Sequence, residues 1–236
     1  MPWTDRTQML VGDEGLQALA DARVAVVGIG GVGAYAAEML VRAGLGHIVI
    51  IDSDCVSESN INRQLLALHS TVGRPKVEVL RERLLDINPD LDIEARREYV
   101  AEGAIDIAAD FVVDAIDTLS PKIALIQYCL VSGIPLVSSM GSGAKVDATA
   151  VRIADISKTY ECPLAHMLRK RLHKLGIRGG FPAVFSPEKP FRESVIIEES
   201  ANKKSQVGTI SYLPAVFGCV CAQAAIGHIV DFQRKC

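Results

Sequence analysis

The sequence predicts an α/β protein with a Rossmann-like, doubly wound and mainly parallel sheet, followed by a C-terminal extension. Along the first 140 residues, short apolar runs alternate with segments whose apolar side chains recur at helical spacing. Uninterrupted apolar runs are typical of strands buried on both faces, so the intervening helices are expected to cover both faces of a parallel sheet. A glycine-rich turn directly after the first strand is a third indication of this class.

Each strand of the first half is an apolar run bounded by charged residues, glycine or proline. These runs predict buried strands at residues 24–27, 47–51, 111–113 and 135–138, and a more polar strand at 92–95. Helical spacing of apolar side chains predicts helices at residues 33–45, 75–87 and 121–131. Gly44 suits the end of the first helix, and Pro75 suits the first turn of the second.

From residue 141 the alternation changes. The pattern there predicts one or two strands at 145–156, a helix at 163–175, a loop-rich stretch at 176–202 and an apolar helix at 213–232. Neither a repeat nor a charged linker separates the halves. We therefore expect one enlarged domain at residues 1–236, with a core at 20–140 and a C-terminal extension at 141–236.

The composition excludes several classes of protein. With 49% hydrophobic and 22% charged residues and a net charge of −3, the chain is of ordinary globular type. The low aromatic content, 5%, argues against base-stacking platforms. The absence of a signal-peptide pattern and of any CxxC pair indicates free thiols and a cytoplasmic protein. The charge-free stretch 205–230 contains glutamine, histidine and proline, so we expect a buried helix there and no membrane partner.

A nucleotide site is predicted where the first strand meets the first helix. Gly28, Gly30, Gly31 and Gly33 allow a tight turn, and phosphate can approach the free N–H groups at the helix start. Asp52 ends the next strand 24 residues after Gly28, where a carboxylate accepts from ribose hydroxyls. These residues alone do not separate NAD from ATP.

A polar and basic cluster follows the ribose-binding position and favours ATP. Three phosphates and a leaving pyrophosphate require cations, which Arg63 and Lys76 supply as a planar fork and a point charge. Asp117 follows a strand and is a candidate ligand for Mg²⁺. Taken singly, these residues also fit solvated surface charges and a helix cap. The cluster consists of Asp54, Asn60, Asn62, Arg63, Gln64 and Lys76.

Taken together, these motifs resemble the ubiquitin-activating-enzyme-like superfamily, which includes the adenylyltransferases of molybdopterin and thiamine biosynthesis. The resemblance implies an enzyme that activates a carboxylate at the α-phosphate of ATP. It also implies ribose binding by Asp52, Mg²⁺ binding by Asp117, and a homodimer in which Arg6 reaches the partner's phosphates. The phosphate contacts would come from Asn60, Arg63, Gln64 and Lys76. The shared motifs, in order, are residues 28–33, 52–54, 60–64, 73–76, 87–89 and 114–117.

Within that superfamily, the chain is similar to the tRNA threonylcarbamoyladenosine dehydratase family. It lacks the two zinc-binding CxxC pairs of sulfur-carrier and ubiquitin-type members. The similarity implies ATP-dependent dehydration of N6-threonylcarbamoyladenosine at position 37 of tRNA, with a sulfur-transfer protein as a possible partner. The attacking group then belongs to the substrate, so Cys162 is expected to be inert. The residues carrying this similarity lie at 122–129, 155–159, 163–164, 184–188 and 208–211.

A tRNA substrate requires a positively charged surface. Five cations lie in a stretch of ten residues, 169–178, at the end of the predicted helix 163–175 and just after it. Lys203 and Lys204 add two more. A solvated helix face explains this cluster equally well. The five cations are Arg169, Lys170, Arg171, Lys174 and Arg178.

Two other functions also fit the sequence. One is activation of a ubiquitin-like sulfur carrier, and the other is an NAD(P) oxidoreductase or nucleotide sensor.

Overall fold

Seven strands form the main sheet of the computed structural model, which describes residues 2–101, 103, 105–196 and 206–231. In chain order the strands are β1 (Arg23–Val27), β2 (His47–Ile51), β3 (Asp92–Arg96), β4 (Phe111–Asp114), β5 (Leu136–Ser139), β6 (Arg152–Asp155) and β7 (Pro182–Phe185). They lie in the order β3-β2-β1-β4-β5-β7-β6, and only β6 and β7 pair antiparallel. The predicted α/β class with a doubly wound, mainly parallel sheet is confirmed.

Helices cover both faces of this sheet. They are α1 (Asp5–Asp21), α2 (Gly33–Arg42), α3 (Lys76–Ile87), α4 (Leu119–Ser132), α5 (Pro163–Lys174) and α6 (Tyr212–Val230). Successive strand residues point to opposite faces. Val24 and Val26 therefore pack in the cluster that includes α2, α3 and α6, whereas Ala25 and Val27 pack in the cluster that includes α4 and α5. Burial on both faces explains why these strands are uninterrupted apolar runs.

The direction of the chain across the sheet reverses at β1. This strand pairs in parallel with β2 on one side and β4 on the other. Ligands of open α/β sheets bind beyond the carboxyl ends of the strands at such a switch point. The topology thus brings the turn after β1, Asp52 after β2 and Asp117 after β4 to one edge of the sheet.

Helix α6 is long and apolar enough to cross a membrane by length and composition. It packs instead on α1, α2 and β5, with Leu213, Phe217 and Cys221 fully buried. This contact requires glycine at position 218, because a Cβ there would lie 2.5 Å from the Val32 carbonyl oxygen of the neighbouring α2 region. The helix therefore serves as a core element in this fold. The predicted end of this helix, Phe232, lies outside the described residues.

Most predicted elements are confirmed, but two details differ, at β7 and at Pro75. The stretch 176–202, expected to be loop-rich, contains β7 between β5 and β6. Pro182 opens that strand, where its missing N–H costs no ladder hydrogen bond. The segment 145–156 holds one strand, in agreement with its prediction, preceded by a short 3₁₀ turn, Ala148–Ala150. Pro75 lies at the N-cap of α3 rather than in its first turn.

Helix α1 was not predicted from the sequence. Gly12 interrupts it with a φ of +77°, so α1 consists of two helical segments. Before Gly12, the apolar side chains of Met9 and Leu10 do not face the core, since they are 86% and 79% exposed. Two further short strands, β8 (Val195–Ile196) and β9 (Gln206–Val207), pair antiparallel and follow the main sheet in the chain.

Candidate active site

The turn after β1 accepts only glycine at its two ends. Gly28 has a φ of +90°, and a Cβ there would lie 2.8 Å from the carbonyl carbon and oxygen of Ala115. A Cβ on Gly33 would lie 1.9 Å from the carbonyl oxygen of Gly28. The backbone of the turn is therefore packed tightly against the loop after β4. Ala34 N donates to Gly30 O at 3.3 Å, but no side chain caps the start of α2, so an anion can approach this helix end.

The two middle glycines bring three parts of the chain together. A Cβ on Gly30 would lie 3.8 Å from Gln64 Nε2, and a Cβ on Gly31 would lie 3.0 Å from Pro214 Cβ. The loop after β2 and the start of α6 thus both border the glycine turn. Pro214 belongs to the predicted C-terminal extension, so that extension forms one wall of the site.

Asp52 is half-buried at the end of β2 and is fixed by the backbone. Its Oδ2 accepts from Ile29 N at 2.6 Å and its Oδ1 from Asp54 N at 2.8 Å. Burial raises the pKa of Asp52, and the Lys76 ammonium opposes that shift. Each carboxylate oxygen retains a second lone pair, so Asp52 can still accept from a ribose hydroxyl.

Lys76 is held at the same edge by an ion pair. It is the first residue of α3 and only 5% exposed, and its Nζ lies 2.8 Å from Asp54 Oδ2. The Lys76 backbone N–H also donates to Asp54 O at 3.0 Å. Asp54 is solvent-exposed, so it orients the lysine from the outside. An ammonium group has three protons, and two remain for other acceptors.

Arg63 is fixed on the loop between β2 and α3. Its Nη1 donates to Ser59 O and to Asn62 Oδ1, both at 2.8 Å. Asn60 builds this loop: its Oδ1 accepts from Ser57 N at 3.1 Å, and its carbonyl accepts from the N–H groups of Arg63 and Gln64. The Asn60 side-chain oxygen therefore has a local structural contact that the sequence did not reveal.

Gln64 offers an independent sign of a ligand. It is 9% exposed, and its Oε1 is buried without a hydrogen-bond partner among the described residues. A buried acceptor without a donor costs roughly 1–3 kcal/mol. This oxygen is next to the glycine turn, where a bound nucleotide could supply the missing donor.

Asp114 ends β4 and Asp117 lies three residues further along the chain, and the two carboxylates have different environments. Asp114 is fully buried, and its Oδ2 accepts from Lys122 Nζ at 2.7 Å and Ser138 Oγ at 2.6 Å. Its Oδ1 accepts from Ile116 N at 3.1 Å and so shapes the loop that contacts Gly28. Asp117 is exposed three residues beyond the strand. Only Asp117 is thus placed to meet a ligand from solvent.

Arg6 does not join these residues within one chain. It is exposed in the first segment of α1, and nearby Thr4 lies close to Gly44, since a Cβ on Gly44 would be 3.7 Å from Thr4 Cγ2. Gly44 follows the C-terminal end of α2, whereas the glycine turn precedes its N-terminal end. Ten helical residues span about 15 Å.

Lys145 is a buried charge that the sequence did not single out as a site residue. It is 2% exposed, and its Nζ donates to Ser186 O at 2.5 Å. Burial lowers the pKa of Lys145, while the nearby Cys162, Glu188 and Glu161 oppose that shift. Cys162 is itself 4% exposed, at the N-cap of α5. A thiol this buried has little access to a macromolecular substrate.

A glycine turn at the switch point, a carboxylate after β2 and two cations beyond it define a Rossmann-like nucleotide-binding protein. The ThiF family model matches residues 4–235, so the chain belongs to the ThiF family.

Two relatives and one crystal structure are similar to this chain over most of its length. A Bacillus subtilis tRNA threonylcarbamoyladenosine dehydratase is 41% identical over 237 residues, which are 95% of this chain and 92% of that protein. An Escherichia coli enzyme of the same name is 44% identical over 177 residues, covering 72% of this chain and 66% of that protein. A crystal structure of E. coli tRNA N6-threonylcarbamoyladenosine dehydratase, TcdA, in complex with ATP has a TM-score of 0.88 at 36% identity, covering 97% of this chain and 93% of that one.

Proposed function

We propose that this chain is an ATP-dependent tRNA threonylcarbamoyladenosine dehydratase acting on the modified adenosine at position 37. The observation that carries the proposal is the pair of cations, Arg63 and Lys76, fixed beyond a ribose-type carboxylate at the glycine turn. An NAD site needs no such cations beyond its pyrophosphate. The dehydratases with which this chain aligns nearly end to end support the choice of substrate.

The reaction has two displacements. A carboxylate oxygen of the threonylcarbamoyl group bonds to the α-phosphorus, the bond to the bridging oxygen breaks, and pyrophosphate leaves. A nucleophilic atom of the same base then bonds to the acyl carbon and gives up its proton, while the bond from that carbon to the AMP oxygen breaks. The ring closes, AMP leaves, and the substrate has lost one water overall. Arg63 and Lys76 would neutralise charge on the phosphates as pyrophosphate leaves.

The glycine turn, Asp52 and Gln64 would hold the nucleotide. Their fit to ATP rests on the closely packed turn, the free helix start and the buried Gln64 oxygen. Asp117 is the carboxylate that would hold Mg²⁺ against the phosphates, where the ion supplies further charge neutralisation. Among the described residues, no three His, Cys, Asp or Glu side chains form a metal site by themselves. A magnesium ion bound largely through phosphates requires no such cluster.

The function is tested by ATP–pyrophosphate exchange with two preparations of tRNA, one carrying threonylcarbamoyladenosine and one lacking it. We expect exchange only with the modified tRNA, and the product nucleoside should be lighter by one water in mass spectrometry. Exchange without tRNA in the presence of a Gly-Gly-tailed carrier protein would instead identify an activator of a sulfur carrier. Tighter binding of NADH than of ATP would exclude adenylation.

A cytoplasmic homodimer is also part of the proposal. The first segment of α1 is exposed, with Met9 and Leu10 outward and Trp3 half-exposed before it. Apolar side chains at this exposure favour a contact with a second copy of the chain. In such a dimer, Arg6 would reach the phosphates of the partner. Sedimentation equilibrium of the purified protein tests the dimer directly.

The exposed face of α5 is the surface we expect to contact tRNA. Ala165, Leu168 and Leu172 are buried, which leaves the cations at positions 170, 171 and 174 facing solvent. Arg169 is different, because its guanidinium contacts Thr159 Oγ1 and is partly buried. The predicted cations Lys203 and Lys204 lie outside the described residues.

Reversing two charges on α5 should weaken tRNA binding. We expect Lys170→Glu/Lys174→Glu to raise the KM for tRNA about tenfold or more. The plot of the logarithm of the binding constant against the logarithm of the salt concentration should become less steep by about 2, because two phosphate contacts are lost. The KM for ATP should stay unchanged. Arg81→Glu, on the exposed side of α3, is the control and should have little effect. Equal effects of both variants would refute a specific role for α5.

Cys162→Ser should retain most of the turnover. The thiol is buried, and the chemistry above assigns the attacking group to the substrate. Turnover with modified tRNA and the midpoint of thermal unfolding are measured together, with Cys162→Ala as a second variant. An inactive but normally folded protein, or a thioester trapped on the wild-type chain, would show that Cys162 takes part covalently.

A further inference from the structure

The Asn62 side chain connects Arg63 to a distant part of the chain. Its Oδ1 accepts from Arg63 Nη1 at 2.8 Å, and its Nδ2 donates to Thr209 O at 3.0 Å. Both ends of one planar amide are thus engaged. Because the amide is rigid, fixing its nitrogen also fixes the oxygen that meets the guanidinium.

Only one nitrogen of the Arg63 fork is engaged among the described residues. Nη1 makes both of its hydrogen bonds, to Ser59 O and Asn62 Oδ1. Guanidinium groups have five N–H donors in a fixed plane. Anchoring Nη1 therefore sets the plane and leaves Nε and Nη2 for the oxygens of a phosphate.

Thr209 O is a firm anchor because its neighbours are held on two sides. Gly208 N donates to Ser194 O, and Gly208 O accepts from Ala144 N, both at 2.8 Å. A Cβ on Gly143 would lie 3.2 Å from Thr209 Oγ1, so the loop after β5 packs directly on this segment. The segment continues into α6, where Pro214 borders Gly31.

We propose that Asn62 is a positioning residue that orients the Arg63 guanidinium toward the phosphates by fixing it to Thr209. The inference rests on the proposed function, because it assigns Arg63 to the phosphates. Asn62 itself is exposed and has no role in the core. It acts on the reaction through Arg63 and need not touch the nucleotide.

A double-mutant cycle in the full-length protein tests this role. Asn62→Ala should lower kcat for ATP–pyrophosphate exchange about tenfold, on the scale of one charge-assisted hydrogen bond. In the Arg63→Ala background, Asn62→Ala should lower kcat by less than about twofold, because the guanidinium that Asn62 orients is absent. Thermal unfolding should be nearly unchanged. Asn88→Ala, which removes a local turn contact at the opposite end of α3 from Lys76, is the control and should leave kcat unaffected.

The outcomes separate the inference from the proposed function. Wild-type exchange by Arg63→Ala would remove Arg63 from the reaction and overturn the site assignment of the proposed function. If Arg63→Ala lowers kcat, two results would overturn only the role of Asn62. One is that the losses in kcat from the two substitutions are additive, and the other is that Asn62→Ala alone leaves kcat unchanged. A slow Asn62→Ala with a non-additive cycle supports it.

Discussion

Lys76→Met should slow adenylate formation by about 100-fold or more while leaving the protein folded. The ammonium is a preorganised charge at a largely buried position, and removal of such a group typically costs about 10²–10³ in kcat. Methionine preserves the buried stem, so little packing is lost. Asp54, the partner left behind, is solvent-exposed and can be hydrated. The measurement is single-turnover formation of the adenylate, with thermal unfolding as the check on folding.

The same variant should change the pH dependence. Lys76 lowers the pKa of Asp52, and burial raises it. Without the ammonium, the pKa of Asp52 rises further, so the carboxylate becomes protonated at a higher pH as acid is added. The acid limb of the pH–rate profile should therefore move to higher pH. Lys76→Arg retains the charge and should leave that limb near its wild-type position. A wild-type rate in Lys76→Met would show that this ammonium does not act on the phosphates.

The fold was largely predictable because its strongest signals are local. The runs at β1, β2 and β4 are short, apolar and bounded, and burial on both faces leaves no polar residue to interrupt them. The strand β7 was missed because it begins with Pro182, only two residues after the pair Gly179 and Gly180. Its place between β5 and β6 depends on contacts distant in sequence, which periodicity does not record.

The candidate site was predictable in its composition but not in its contacts. The glycines, Asp52 and Lys76 are recognisable by position, since each follows a strand or starts a helix, and Arg63 lies in the polar segment between Asp52 and Lys76. By contrast, the tie between Asn62 and Thr209 spans 147 positions. The roles of Asn60 in the loop and of Asp114 in the core likewise depend on partners that only the folded chain reveals.

One sequence signal for the buried network was nevertheless present. Lys122 is the only charged residue of α4, and Asp114 ends an apolar strand. A buried charge requires an opposite charge or several hydrogen bonds, so an isolated lysine in an apolar helix indicates a buried acid nearby. The two residues are 2.7 Å apart and fully buried. Their effect reaches the site through Ile116, next to the Ala115 contact with Gly28.

Lys122→Met should destabilise the protein by about 3–5 kcal/mol, because it leaves the Asp114 carboxylate buried without its cation. The free energy of unfolding, measured in urea, tests this. Adding Asp114→Asn should recover most of the loss, since the double variant buries no charge and asparagine retains an acceptor for Ile116 N. If the single change costs under about 1 kcal/mol, or the second change adds to it, the ion pair does not hold this part of the core together.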